Sequence, residues 1–141
     1  MTDTTYPLAR ITPGPLHSIL LGGTVALFLG ALSSDIAYAR TYQIQWSNFA
    51  SWLIAGGLVF CGLALLFALA NLLRAQPKAG RPALYFLLLL ITWVLGLVNA
   101  FKHSQDAWSS VGAFGLILSI LCTILVLVAG WTAYAARESV R

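Results

Sequence analysis

The stretch VGAFGLILSILCTILVLVAGWTAYA, Val111 to Ala135, carries no charged residue, and its reading decides the fold. A helix rises about 1.5 Å per residue and the hydrocarbon core of a bilayer is about 30 Å thick, so roughly 20 apolar residues cross it. Three more such runs precede it: Leu16 to Ala39, Asn48 to Leu73 and Pro82 to Phe101. Of the 141 residues, 60% are hydrophobic and only 9% charged, and the mean hydropathy is +0.86. That leaves too little polar surface to coat a soluble globule. The sequence therefore predicts an all-α membrane protein, four transmembrane helices in an antiparallel bundle with short loops. Residues 1–15 form an N-terminal tail, 16–135 a single four-helix domain and 136–141 a C-terminal stub. None of the flanking segments is long enough to bury a core.

The first run follows a polar N-terminus and could pass for a signal peptide. It is longer than an h-region, has only Arg10 as its positive flank and is followed by three more spans, so it is read as retained. Orientation comes from the cations. Arg10, Arg74, Lys78, Arg81, Arg137 and Arg141 fall on one side of a four-pass chain, and only Arg40 and Lys102 on the other. Cations near span ends hold loops on the cytoplasmic side, which places both termini of this multi-pass chain there. The net charge of +4 and pI near 9.4 then reflect this rule and anionic lipid heads. Loops this short offer no clustered basic face for nucleic acid.

The connectors differ in chemistry. Arg74 to Pro82 holds two prolines and a glycine and reads as a tight turn between helices. The two connectors on the opposite side, Arg40 to Ser47 and Lys102 to Ser110, are polar and aromatic. Tyr38, Tyr42, Trp46, Trp52, Phe101 and Trp108 are expected as one headgroup belt, and Tyr85, Trp131 and Tyr134 as the other. Within the spans, Gly22, Ala26 and Gly30 share one face of the first helix, and Gly115, Ser119 and Thr123 share one face of the fourth. Small residues let backbones approach in lipid, so these stripes are expected to pack helices one and four together or to form a homodimer seam. Gly56, Gly57 and Gly62 point to a similar approach on the second helix. Cys61 and Cys122 fall mid-span, outside any CxxC, and read as small hydrophobes with no metal role.

A carboxylate at membrane depth is costly and seeks a partner or water. Asp35 is so placed, with Tyr38, Arg40, Asn99 and His103 as candidate partners. One reading has it pin the aromatic loop. Another opens a polar pocket, lined by Asp35, Asn99, His103 and Trp46, to a small molecule, a quinone head or a proton, and a third makes it a subunit interface. Two histidines in a four-helix bundle also invite a b-type haem. His17 at the start of the first helix and His103 beyond the end of the third lie too far apart for one iron, and His17 reads as a helix-start residue at the interface. Spacing suggests no Ser-His-Asp or Cys-His grouping and no phosphate loop, so an enzyme is not expected.

The stretch Ser34-Asp35-Ile36-Ala37-Tyr38-Ala39-Arg40-Thr41, with Trp46, Ser51-Trp52-Leu53-Ile54-Ala55-Gly56-Gly57, Pro15-Leu16-His17 and Val128-Ala129-Gly130-Trp131, resembles the bacterial membrane family known as domain of unknown function 2231. The likeness runs from about Pro15 to Tyr134. Two positions depart from it: Ser18 stands where the family commonly has proline, and Thr132, Ala133 and Tyr134 replace a glycine pair and an acid. The resemblance implies a small four-helix inner-membrane protein in a family without an assigned activity. Some members look like companions of membrane-bound sugar or alcohol dehydrogenases, which implies a redox-accessory role. The first expectation is thus a non-enzymatic accessory or anchoring subunit without a resident cofactor, docking another membrane or periplasmic protein, or a second copy, at its aromatic rim. The alternative is a binding or transport module built on Asp35 and His103.

Overall fold

A computed structural model describes residues 14–75, 80–105 and 112–135. They form four α-helices: α1 (Pro15–Thr41), α2 (Ile44–Arg74), α3 (Arg81–His103) and α4 (Gly112–Ala135). Each is long and apolar enough to cross a membrane. Pro15 and Pro82 sit in the first turns of α1 and α3, where a missing N–H removes no hydrogen bond. The helices close a ring in which α1 packs on α2, α2 on α3, α3 on α4 and α4 on α1. Leucine, isoleucine, valine and phenylalanine side chains stand exposed around the outside, from Leu16 and Val59 to Ile91 and Ile124. Water would penalise that surface; lipid does not.

The connector expected over Arg40 to Ser47 shrinks to Tyr42 and Gln43, because α2 already begins at Ile44. Tyr42 makes the reversal in a left-handed conformation, φ 53°, and its N–H bonds the Tyr38 carbonyl at 2.8 Å. That is the hydrogen bond of an αL helix cap, made here without glycine. Tyr42, Trp52, Phe101 and Trp131 are exposed, and Tyr38 and Trp46 half-buried. Tyr85 departs from its expected belt position: it is only 4% exposed and points into the bundle. Trp108, with the rest of 106–111, lies outside the described residues, as do Arg10, Lys78, Arg137 and Arg141.

Phe28 organises the centre. It is fully buried, and its ring lies between two glycines: a Cβ on Gly57 of α2 would come within 3.3 Å of it and one on Gly96 of α3 within 3.1 Å. The close approach expected on α2 occurs, with Gly56 against Leu27 and Gly62 against the indole of Trp93. That indole N–H donates to the Leu58 carbonyl at 3.2 Å. Cys61 and Cys122 are buried, free thiols in the same core.

The two small-residue stripes part company. Gly115, Ser119 and Thr123 face inward, and the Thr123 hydroxyl donates to the Phe28 carbonyl at 3.2 Å. Gly22 and Ala26 face outward instead; a Cβ on Gly22 would meet nothing within 4 Å, and Gly30 meets Leu53 of α2, not α4. The α1 face that turns inward carries His17, Thr24, Phe28, Ala31 and Asp35. Hydrocarbon satisfies no hydrogen bond, so the helix rotates its polar groups into the bundle. Dispersion along a glycine stripe is the weaker preference.

Because lipid surrounds the unfolded reference as well, the transfer part of a core truncation nearly vanishes. The cavity part remains: at about 24 cal/mol per Å³ and roughly 100 Å³ deleted, Phe28→Ala costs about 2 kcal/mol. Unfolding in mixed detergent micelles checks this, and unchanged stability would contradict the packing described.

Candidate functional site

At the C-terminal ends of α1 and α3, four buried polar side chains meet: Asp35 (α1), Asn99 and His103 (α3) and Ser119 (α4). Asn99 and His103 are four residues apart, so the helix puts them on one face. His103 Nε2 lies 2.8 Å from Asp35 Oδ1 and its Nδ1 lies 3.0 Å from the Asn99 carbonyl oxygen. The Ser119 hydroxyl donates to Asp35 Oδ2, and the Asn99 amide donates to Ser119 Oγ at 2.8 Å. Asn99 Oδ1 is buried without a partner among the described residues.

This geometry fixes most of the protons. A carbonyl oxygen only accepts, so His103 Nδ1 must carry a hydrogen. Nε2 and Oδ1 then share one more. With that proton on nitrogen the pair is imidazolium–carboxylate; with it on oxygen the pair is imidazole–carboxylic acid. Both forms have zero net charge, which is how the acid is tolerated inside a membrane bundle.

A serine, a histidine and an aspartate do come together here, which their spacing did not suggest. Their order is not that of a hydrolase triad, in which serine bonds the histidine and the histidine bonds the acid. Ser119 bonds Asp35 directly and His103 has no hydroxyl to activate. Among the described residues, no three His, Cys, Asp or Glu side chains cluster to hold a metal ion.

Asp35 also reaches the wall of a cavity of about 240 Å³ between the end of α1 and the start of α4. Tyr38, Ala39, Tyr42, Gly112, Ala113 and Leu116 line the rest. The pocket expected from sequence is therefore relocated. Asn99 and His103 stand behind Asp35, outside the lining, and neither Trp46 nor exposed Arg40 takes part. Ser119, read as a packing residue, belongs to the polar network. Its position on an inward stripe was visible in the sequence; its partner on another helix was not.

A second polar pair crosses from α1 to α3 at the N-terminal ends of these helices. His17 Nε2 lies 2.6 Å from the Tyr85 hydroxyl, and both the Tyr85 and Phe67 rings meet the imidazole edge-on. His17 is 4% exposed, so it is buried rather than interfacial. Its Nδ1 has no partner among the described residues. His17 and Asp35 are 18 positions apart on α1, about 27 Å along the helix axis. His17 and His103 therefore stand at opposite ends of the bundle, too far apart to ligate one iron.

Four apolar helices with polar groups turned inward define a multi-pass integral membrane protein. The chain belongs to the family described as predicted membrane protein (DUF2231), whose profile matches residues 13–136. Neither a curated protein nor a solved structure matches it.

Removing one member of a buried pair strands the other. His103→Ala is expected to cost about 3–5 kcal/mol, and adding Asp35→Asn in the same chain to restore most of it. Unfolding of the wild type, both single variants and the double variant in micelles measures the coupling; strictly additive losses would show that the two groups do not depend on each other.

Proposed function

We propose that the protein is a small non-catalytic binding module of the bacterial inner membrane, in which Asp35, held by His103, presents a protonatable group to a small molecule in the adjoining cavity. The observation that carries this reading is the contact between the buried acid and the cavity. An acid that only tied helices together would need no opening beside it. A ligand with a hydrogen-bond donor, such as a quinol hydroxyl or an ammonium group, would meet the spare lone pairs of the carboxyl. Partner docking at the aromatic rim draws support, among the described residues, from exposed Tyr42, Trp52 and Phe101, and a headgroup belt accounts for them equally well.

The bundle is read as antiparallel with both termini cytoplasmic. Supporting this, Gly23 lies against Phe60 and Gly30 against Leu53, so numbers rise on α1 as they fall on α2. Arg74 and Arg81 fall at the His17 end, and Arg40 and Lys102 at the Asp35 end. The positive-inside rule then faces the Asp35 cavity to the periplasm.

In this reading the cavity is the route by which the Asp35–His103 proton exchanges with solvent. Infrared bands of the pair, assigned by their loss in Asp35→Asn, should shift promptly on transfer to heavy water, and Ala113→Phe should slow that shift at least tenfold. Equal rates in both proteins would remove the cavity from the mechanism. For orientation, a C-terminal green fluorescent protein fusion should fluoresce and a C-terminal alkaline phosphatase fusion should be inactive; the reverse pattern would invert the topology.

A further inference from the structure

We propose that the ligand of the Asp35 cavity is a primary organic ammonium ion, taken up in exchange for the proton shared by Asp35 and His103. The inference rests on the binding-module reading and adds the ligand's chemical class.

Charge comes first. Asp35 is the only acidic residue among those described, and the cavity lining contains no Lys, Arg or His. An anion would find no cationic side chain there and would face a carboxyl. The start of α4 contributes partial positive charge and the end of α1 partial negative charge. Both elements line the cavity, so these half-charges oppose each other, and the carboxyl of Asp35 is the one ionisable acid in the lining.

Shape and ring chemistry agree. Tyr38 and Tyr42 line the cavity with their rings at 66° and centroids 6.3 Å apart, forming an aromatic corner. Ring faces attract cations, more strongly where water is thinned out. Ala39, Ala113 and Leu116 supply apolar wall for the organic part of the ligand. A carboxyl, an aromatic corner and an apolar wall are what an amphiphilic ammonium ion needs and what a phosphate or carboxylate ligand lacks.

The proton balance gives the exchange its physical reason. With its proton the Asp35–His103 pair is neutral, so adding R–NH₃⁺ alone would leave a buried net charge of one. If R–NH₃⁺ enters and H⁺ leaves, the site stays neutral. One ammonium N–H then bonds the Asp35 carboxylate from the cavity side, and His103, behind the acid and outside the lining, is left as the neutral imidazole that has given up the shared proton. No covalent bond in the ligand is made or broken. His103 Nδ1 keeps its hydrogen on the Asn99 carbonyl throughout.

Among the described residues, few other groups could supply the response. On α3 the neighbours are His103 and Lys102, the latter engaged with Gln105 at 2.9 Å. On α1 they are Tyr38 and exposed Arg40 and Tyr42. The adjoining stretches of α2 (44–60) and α4 (112–121) contain no titratable side chain.

The test uses the full-length protein in non-ionic micelles and three probes with the same ring: benzylammonium, benzyl alcohol and benzoate. Benzylammonium is expected to bind most tightly, raise the unfolding temperature and release up to one proton per molecule bound, read with an indicator dye in weak buffer. Asp35→Asn should weaken it about tenfold or more and abolish proton release. Tyr38→Leu, which leaves the polar network whole, should weaken benzylammonium several-fold while leaving benzyl alcohol nearly unchanged. Equal binding of benzyl alcohol, still dependent on Asp35, would overturn the ammonium assignment and leave the cavity as a binding site. Preference for benzoate, or benzylammonium binding without proton release, would overturn the exchange. Binding of none of the three would overturn this inference together with the reading beneath it.

Discussion

A side chain that can form hydrogen bonds has no partner in hydrocarbon, and each such group left unsatisfied costs several kcal/mol. This constraint sets the rotation of α1. His17, Thr24 and Asp35 lie on one stripe, and the stripe turns inward, where Tyr85, His103 and Ser119 answer two of the three across the bundle. Thr24 satisfies itself on the Leu20 carbonyl at 2.8 Å. With α1 so turned, Phe28 enters the space between Gly57 and Gly96, and the glycine face of Gly22 and Ala26 is left on the outside of the bundle. Packing follows from polar satisfaction here, in contrast to water-soluble bundles, where an apolar stripe sets the rotation.

The same constraint joins structure to chemistry. The Asp35 network ties α1, α3 and α4 with donors and acceptors in complementary roles, and it does so around a proton that can sit on either of two atoms. A purely structural clasp could have used asparagine and serine alone. Keeping an acid and an imidazole there, beside an opening, stores a movable charge at one end of the bundle.

Depth was legible in the sequence, and rotation was not. Counting at 1.5 Å per residue put Asp35, Asn99 and His103 at one level and His17 at the other, and the four spans coincide with the helices to within four residues at their ends. Which way each residue faced depended on partners on other helices. Gly22, Ala26 and Gly30 have the spacing of a helix contact, yet a competing stripe two residues along carries the polar groups. Tyr85 stands at belt depth and turns inward to His17; Ser119 looks like a small packing residue and turns out to bond the acid. Tyr42 ended a connector early because a left-handed cap needs one residue, not a loop. The cavity was displaced from the expected residues for a related reason: it lies on the α4 side of Asp35, while the sequence pointed to the α3 side.

One proton is shared between His103 and Asp35 while a second is fixed on His103 Nδ1. With only two histidines in the chain, ¹⁵N-labelled imidazoles can be resolved by nuclear magnetic resonance in micelles or bilayers. The His103 ring is expected to be protonated at Nδ1, with a strongly deshielded proton between Nε2 and Asp35 that disappears in Asp35→Asn. A His103 ring that exchanges freely between both neutral tautomers, as a solvated imidazole does, would contradict it.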